Sequence, residues 1–275
     1  MKKVLLAMGA MLLLASCSVK TYYQVYQTKP TEETGFTTTA TNVVYADKNV
    51  EVRYDFFEEQ GDGGFVLMNN TDKVLYLHLD ECFFVLNDEA NDYFQDRSWG
   101  ETTSRTTTHS FQRHEGDKSK RAKKQAEIQR DGSTTVEGTS ASESKALNRH
   151  ERAVVIIPPH ASKRVYEYTI NKQMISLCGV KETPNGSKTA GQTFTVENSP
   201  IVFANFITYT LGDSDKKHQI NNTFYVSEII NAGEKAMIYE VHQKDACGKE
   251  IGGKESVVKA YNHNTPDRFF VTYTR

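Results

Sequence analysis

The sequence predicts an all-β fold, an immunoglobulin-like or related antiparallel β-sandwich interrupted by a long polar insertion. Three observations predict it. Fourteen Tyr and fourteen Phe, with Thr and Val in runs, favour extended chain. About ten short apolar runs are separated by Gly, Asn, Asp and Pro clusters at the spacing of strands and turns. Sustained helical periodicity is nearly absent.

The chain begins with Met1, Lys2 and Lys3, an apolar run from Val4 to Leu14, and the small residues Ala15 and Ser16 before Cys17. A charged start, a short greasy run and small residues at a cut are the parts of a secretory signal. The run is about half the length a membrane-spanning helix needs. Residues 1–16 are therefore expected to be a signal peptide. Leu14-Ala15-Ser16-Cys17 resembles the lipobox of bacterial lipoproteins. That resemblance implies lipid attachment at Cys17, whose thiol can form a stable thioether. Two or three acyl chains, palmitate among them, at about 0.8 kcal/mol per buried methylene, make release negligible. By the same resemblance, Ser18 in place of the aspartate of an inner-membrane retention signal implies the outer membrane. Ser18-Val19-Lys20-Thr21-Tyr22 lacks the acidic cluster of surface-displayed Bacteroidota lipoproteins, a comparison that implies the periplasmic face of that membrane. Residues 17–42, Thr-rich and without sustained apolar period, are expected to be a lipidated tether in which Tyr22, Val25 and Tyr26 can dock on the domain.

Residues 43–275 are expected to be the sandwich. "VEVRYDFF" alternates, "GDGG" at 61–64 tolerates positive φ, and "FVLMNN" returns, which together predict a hairpin. "VLYLHLDECFFVLND" is the longest β run. Read as one strand, it places Leu75, Leu77, Leu79, Glu81, Phe83 and Val85 on one face, with Tyr76, His78, Asp80, Cys82, Phe84 and Leu86 on the other. Residues 97–150 are rich in Ser, Thr, Lys, Arg and Glu and poor in branched apolar residues, so they are expected to be a largely disordered insertion. Order resumes in "RAVVIIPPHASKRVYEYTI", two strands about Pro158-Pro159. "NKQMISLCG" predicts a short helix. Three strands follow across "SPIVFANFITYT" to "AMIYEVH", and "DRFFVTYTR" closes the chain. Stretches such as "FVLMNNTDKVLYLHLDECFFVLNDEANDYFQ" resemble uncharacterised outer-membrane lipoproteins of Bacteroidota with an all-β body, a resemblance that implies fold and compartment and no activity.

Chemistry is sparse. The formal net charge is −2, and loss of Lys2 and Lys3 makes the mature chain more acidic, which excludes a nucleic-acid binder. With Cys17 given to lipid, Cys82, Cys178 and Cys247 remain, and an odd number allows one disulfide. Cys178 with Cys247 is the expected pair, since Cys82 lies in an apolar strand. His78, Asp80 and Cys82 recur on one strand face and are the only candidate metal ligands, although residues two apart sit roughly 6.5–7 Å apart and no second strand announces further ligands. A metal is accordingly not expected. Neither Cys82 nor Cys178 has a cysteine-protease signature, no Gly-x-Ser-x-Gly occurs, and the adjacent pairs Glu58-Glu59 and Asp80-Glu81 point to opposite faces of a strand. The basic run Lys118, Lys120, Arg121, Lys123 and Lys124 reads as a solvated loop.

No catalytic residue and no cofactor is assigned. The expected function is a non-catalytic interaction or assembly role in the cell envelope, with the membrane bound through acyl chains and an envelope protein as partner. A glycan or small-ligand binding module is the alternative, and a metal-dependent envelope hydrolase is third.

Overall fold

A computed structural model describes residues 20–110, 138–252 and 256–275, with backbone alone over 99–110 and 138–149. The expected signal peptide, Cys17 and the basic run at 118–124 lie outside the described residues. The chain passes through β1 (Thr21–Pro30), β2 (Phe36–Thr38), β3 (Val43–Ala46), β4 (Val50–Tyr54), β5 (Phe65–Asn69), β6 (Leu75–His78), β7 (Phe83–Leu86) and β8 (Glu89–Asp92). It continues through β9 (Ser98–Ser110), β10 (Gly138–His150), β11 (Val154–Ile157), β12 (Ser162–Val165), β13 (Thr189–Thr193) and β14 (Val202–Leu211). Last come β15 (His218–Gly233), the single helical turn α1 (Glu234–Met237), β16 (Ile238–His242), β17 (Val257–Tyr261) and β18 (Arg268–Thr274). The fold is all-β, and its strand ladders are antiparallel.

One compact unit comprises the described residues up to Gln95 and those from Arg152 to Arg275. Its nine-stranded sheet runs β11-β6-β14-β15-β1-β18, with β7 and β8 continuing beside β14 and β13 beside β15. A five-stranded sheet, β12-β5-β4-β3-β2, packs on it. β4 and β5 bury every second residue, Val50, Val52 and Tyr54 against Phe65, Leu67 and Asn69, as a sheet with one wet face must. Between the sheets lie aromatic rings. Phe56 meets Phe203 at 5.2 Å and 88°, Tyr54 meets Phe224 at 5.0 Å, and Tyr26 stacks on Phe269 at 4.5 Å. Such pairs contribute about 0.5–1.5 kcal/mol each beyond their buried area. A second, smaller core on the outer face of β1 and β18 holds Tyr23, Val25, Met237 and Phe270 beneath α1 and the β16–β17 hairpin.

Two connections cross between the sheets side by side, and Asn69 holds both. β5 leads to β6 and β11 leads to β12, the latter through Pro158-Pro159, which donates no ladder bond. The fully buried Asn69 side chain donates to the carbonyls of Lys73 at 2.7 Å, Ile157 at 3.3 Å and Pro158 at 3.2 Å. β15 changes phase within itself: Gln27 faces Glu228 while Thr28 faces Val226, so Ser227 is an extra residue in the ladder. Before this bulge the even positions Ile220, Asn222, Phe224 and Val226 are buried; after it, Ile229 and Asn231 are.

Four expectations are corrected. Residues 17–42 are not a tether throughout, because Thr21–Pro30 forms β1 between β15 and β18 and buries both its faces, with Tyr22 through Tyr26 all buried. "VLYLHLDECFFVLND" is two strands, split by a 3-10 turn at Leu79–Glu81. The turn shifts the phase by one residue, so the core takes Leu75, Leu77 and Leu79, then Cys82 and Phe84. "NKQMISLCG" forms no helix and lies as a loop. The expected disorder at 97–150 gives way at its flanks to the second unit, Asp96–Glu151, in which β9 and β10 pair over thirteen residues from Ser98↔His150 to Ser110↔Gly138. Composition had counted only buried surface. Thr-rich chain is well suited to extended pairing without any, and the register sets Thr106 opposite Ser142 and Arg105 opposite Glu143. The Arg97 guanidinium closes this unit on Glu151 at 2.7 Å.

Candidate functional site

The trio His78, Asp80 and Cys82 is taken apart by the 3-10 turn. His78 ends β6 with Nε2 3.2 Å from Thr210 Oγ1, Asp80 is exposed on the turn, and Cys82 is fully buried. The Cys82 thiol donates to the His78 carbonyl at 3.0 Å, and burial pushes its pKa up to about 12. A thiol held neutral in the core is neither nucleophile nor metal ligand at neutral pH. Among the described residues, no three His, Cys, Asp or Glu side chains are placed to hold a metal ion. The expected Cys178–Cys247 disulfide is also absent: both residues are exposed free thiols. Cys178 lies in the loop over 171–186 and Cys247 in a turn beyond β16 whose Asp245 side chain accepts its N–H at 2.9 Å.

The buried polar side chains form a structural network on β1. Gln24 donates through Nε2 to Asn231 Oδ1 at 2.7 Å and to the Ile175 carbonyl at 2.9 Å, and its Oε1 accepts the Ile175 N–H at 2.6 Å. The Tyr26 hydroxyl donates to the same Oε1 and accepts from Asn171 Nδ2 at 2.9 Å, while burial raises its pKa. Asn231 Nδ2 reaches the Lys181 carbonyl at 3.2 Å. The long loop over 171–186 is thus stapled to the sheet, and these groups spend their hydrogen bonds within the fold.

A better candidate is a cleft of about 360 Å³ at the mouth of the sandwich, between the end of β1 and the first strands of the small sheet. Its floor is apolar: Phe36 packs edge-on against Phe224 at 5.4 Å, with Val43 beside them. Its rim is polar, with Gln27, Lys29, Glu33, Thr38 and Asp267. Gln27 is fixed by both neighbours on β18's entry, donating to Asp267 Oδ2 at 2.6 Å and accepting from Arg268 Nε. Arg268 Nη1 lies 2.9 Å from His263 Nδ1, so that nitrogen is the acceptor and the ring is neutral. Burial first, and then the Arg268 charge, hold the His263 pKa below its usual value. This arrangement offers oriented donors and acceptors above an aromatic floor, as ligand-binding clefts do. It holds no nucleophile aligned with a base.

A family scan, a search of curated proteins and a search of solved structures each return no match. Sequence reasoning missed this cleft. Its residues come from three distant segments, and the only local sign of it, the polar run from Gln27 to Thr38, reads equally well as linker. It also missed Asp62 of "GDGG". Burial raises the pKa of that carboxyl even though the Gly64 N–H donates to it at 2.8 Å, and Arg164 approaches at 3.7 Å. Finally, the outer face of the β16–β17 hairpin presents Tyr239 and Val258 to solvent, 46% and 36% exposed, with Ile251 also exposed beyond β16. No described helix is long and apolar enough to cross a membrane.

Proposed function

We propose that this protein is a lipid-anchored component of the cell envelope, held by acyl chains on Cys17 at the periplasmic face of the outer membrane, with a non-catalytic interaction or assembly role. The observation that carries the reading is the run Leu14-Ala15-Ser16-Cys17 behind a short apolar segment and directly ahead of an ordered β body. The exposed apolar face of the β16–β17 hairpin supports an envelope protein as partner, since depletion of charge around Tyr and aliphatic residues is what interface centres share. The test compares native protein with Cys17→Ala by intact mass and by partition between membrane and soluble fractions. An acyl mass on Cys17 and loss of membrane partition in the variant are expected; an unmodified Cys17 would refute the anchor. For the partner, a photo-crosslinking residue at Tyr239 is expected to yield a discrete envelope adduct in cells, and an adduct pattern identical to that from exposed Lys216 would count against this face.

The second reading, a glycan or small-ligand module, is favoured by the cleft over Phe36. A thermal-shift screen of oligosaccharides and small polar metabolites tests it, because a ligand that binds only the folded state raises Tm. A hit lost in Gln27→Ala would support the cleft, and a flat screen would remove it.

A further inference from the structure

We propose that the end of the large sheet that carries Thr21, Thr274 and Gly233 is a membrane-facing surface that rests on anionic phospholipid headgroups. The inference depends on the anchor at Cys17 proposed above. Cys17 and Thr21 are four residues apart, and four fully extended residues span at most about 14 Å. Thr21 opens β1, so whatever path residues 17–20 take, this end of the sheet cannot stand farther than that from the lipidated residue. A chain with a long tether would leave the orientation of the body open; here the ordered body begins too soon for that.

The charge at this end fits the same surface. Lys20 precedes β1, and its carbonyl accepts the Arg275 N–H at 3.4 Å. Lys188 precedes Thr189, which pairs with Ala232 at the end of β15. Lys181 is tied by its carbonyl to Asn231, and Lys235 is two residues beyond Gly233. All five side chains, counting Arg275, are exposed. Three carboxylates lie among or beside them and each is engaged: Glu182 with Arg275 at 3.1 Å, Glu234 with Lys259 at 3.1 Å, and Glu59 with the Thr272 hydroxyl. Lys20, Lys181, Lys188 and Lys235 have no carboxylate partner among the described residues. The chain as a whole carries a formal charge of −2, so the positive end is a local feature set against the net charge. A lysine near an anionic leaflet contributes about a fivefold bias, and the effect fades beyond a Debye length of roughly 10 Å at 0.1 M salt, a distance comparable with the reach of the short connection to Cys17.

The experiment uses the acylated full-length protein in vesicles of phosphatidylethanolamine with phosphatidylglycerol, in phosphatidylcholine vesicles, and in neutral detergent. An impermeant amine-acylating reagent labels the lysines, and mass analysis reads each site. Lys216, in the turn at the far end of the sixteen-residue strand β15, about 50 Å away, is the internal control. Labelling of Lys20, Lys188 and Lys235 is expected to fall about fivefold or more on the anionic vesicles alone. The protection should weaken at high salt, and Lys20 should regain labelling in the combined Lys181→Gln, Lys188→Gln, Lys235→Gln variant, which changes only exposed side chains. Acyl-bearing protein that labels equally at both ends, or is protected equally by neutral vesicles, would overturn the surface and leave the anchor standing. Cys17 without acyl mass would overturn the anchor and this surface together.

Discussion

Replacing Gln24 by Met keeps the volume of a side chain that is fully buried in β1 and deletes all of its hydrogen bonds. Four groups lose a partner: the Tyr26 hydroxyl, Asn231 Oδ1, and the N–H and carbonyl of Ile175. Ile175 is only half-buried, so water can reach it. Tyr26 and Asn231 are both fully buried and stay dry. The Tyr26 hydroxyl keeps Asn171 Nδ2 as a donor and has the Gln173 carbonyl at 3.4 Å as an acceptor, so Asn231 Oδ1 is the dry group left unsatisfied, and at about 1–3 kcal/mol for such a group the loss is about 1–3 kcal/mol. That is a large share of the 5–15 kcal/mol by which a domain is typically stable. Urea unfolding of the mature chain is the assay. With an m-value of about 2 kcal/mol/M, the midpoint is expected to fall by about 0.5–1.5 M with m unchanged. The 171–186 loop, released at Ile175, should be nicked by protease well before global unfolding. Tyr26→Phe removes one hydroxyl and is expected to cost less, about 1 kcal/mol. A midpoint shift corresponding to less than about 1 kcal/mol for Gln24→Met would refute the view that the segment after Cys17 is a core strand held by this network.

Alkaline unfolding should report Cys82. Burial raises its folded pKa to about 12 from an ordinary 9.0, so its contribution is complete below about pH 9 and is lost as pH climbs towards 12. The slope from this one thiol approaches about 1.4 kcal/mol per pH unit above pH 9, and Cys82→Ala should remove that share from the steeper slope that the buried tyrosines add as they too titrate. A maleimide should modify Cys178 and Cys247 in the folded protein and Cys82 only in denaturant, read by intact mass; failure of Cys178 and Cys247 to react without reductant would reveal the disulfide that the structure lacks. Gly64→Ala should cost about 1–3 kcal/mol because a Cβ there falls 2.4 Å from the Val165 carbonyl oxygen, and backbone cannot swing aside. Gly252→Ala, which meets nothing within 4 Å, should stay within about 0.5 kcal/mol in the same melting experiment.

The strands that sequence made legible are those with one wet face. β4 and β5 alternate cleanly, and the register Val52↔Leu67 follows from that pattern. β14, β15 and β18 announce themselves by β-branched and aromatic runs. β1 did not, because a strand covered on both sides has no alternation to read, and its buried Gln24 and Thr28 look like linker residues. Phase shifts hid the rest. The 3-10 turn at Leu79–Glu81 and the bulge at Ser227 each insert one step that period-two reasoning cannot see, and the first of these dismantled the His78, Asp80, Cys82 constellation. The polar insertion was judged by what it could bury, while β9 and β10 satisfy each other's backbone in register. The cleft over Phe36 was invisible for a different reason: Gln27, Glu33 and Asp267 meet only after the first and last strands pair.

The place of β1 in the sheet has a kinetic meaning. Its contacts are among the most distant the chain can make, with Gln24 reaching Asn231 across 207 residues and Gln27 reaching Arg268 across 241. Pairings of that separation slow folding, since loop closure must precede any reward. Of the described strands, the first synthesised is therefore the last to be completed. Until β15 and β18 exist, "TYYQVYQT" has two open backbone edges and an aromatic surface, the features that invite pairing with another chain. Newly made protein is thus most vulnerable to aggregation through its amino-terminal strand, and the arrival of the final seven residues of sheet, Arg268–Thr274, ends that exposure.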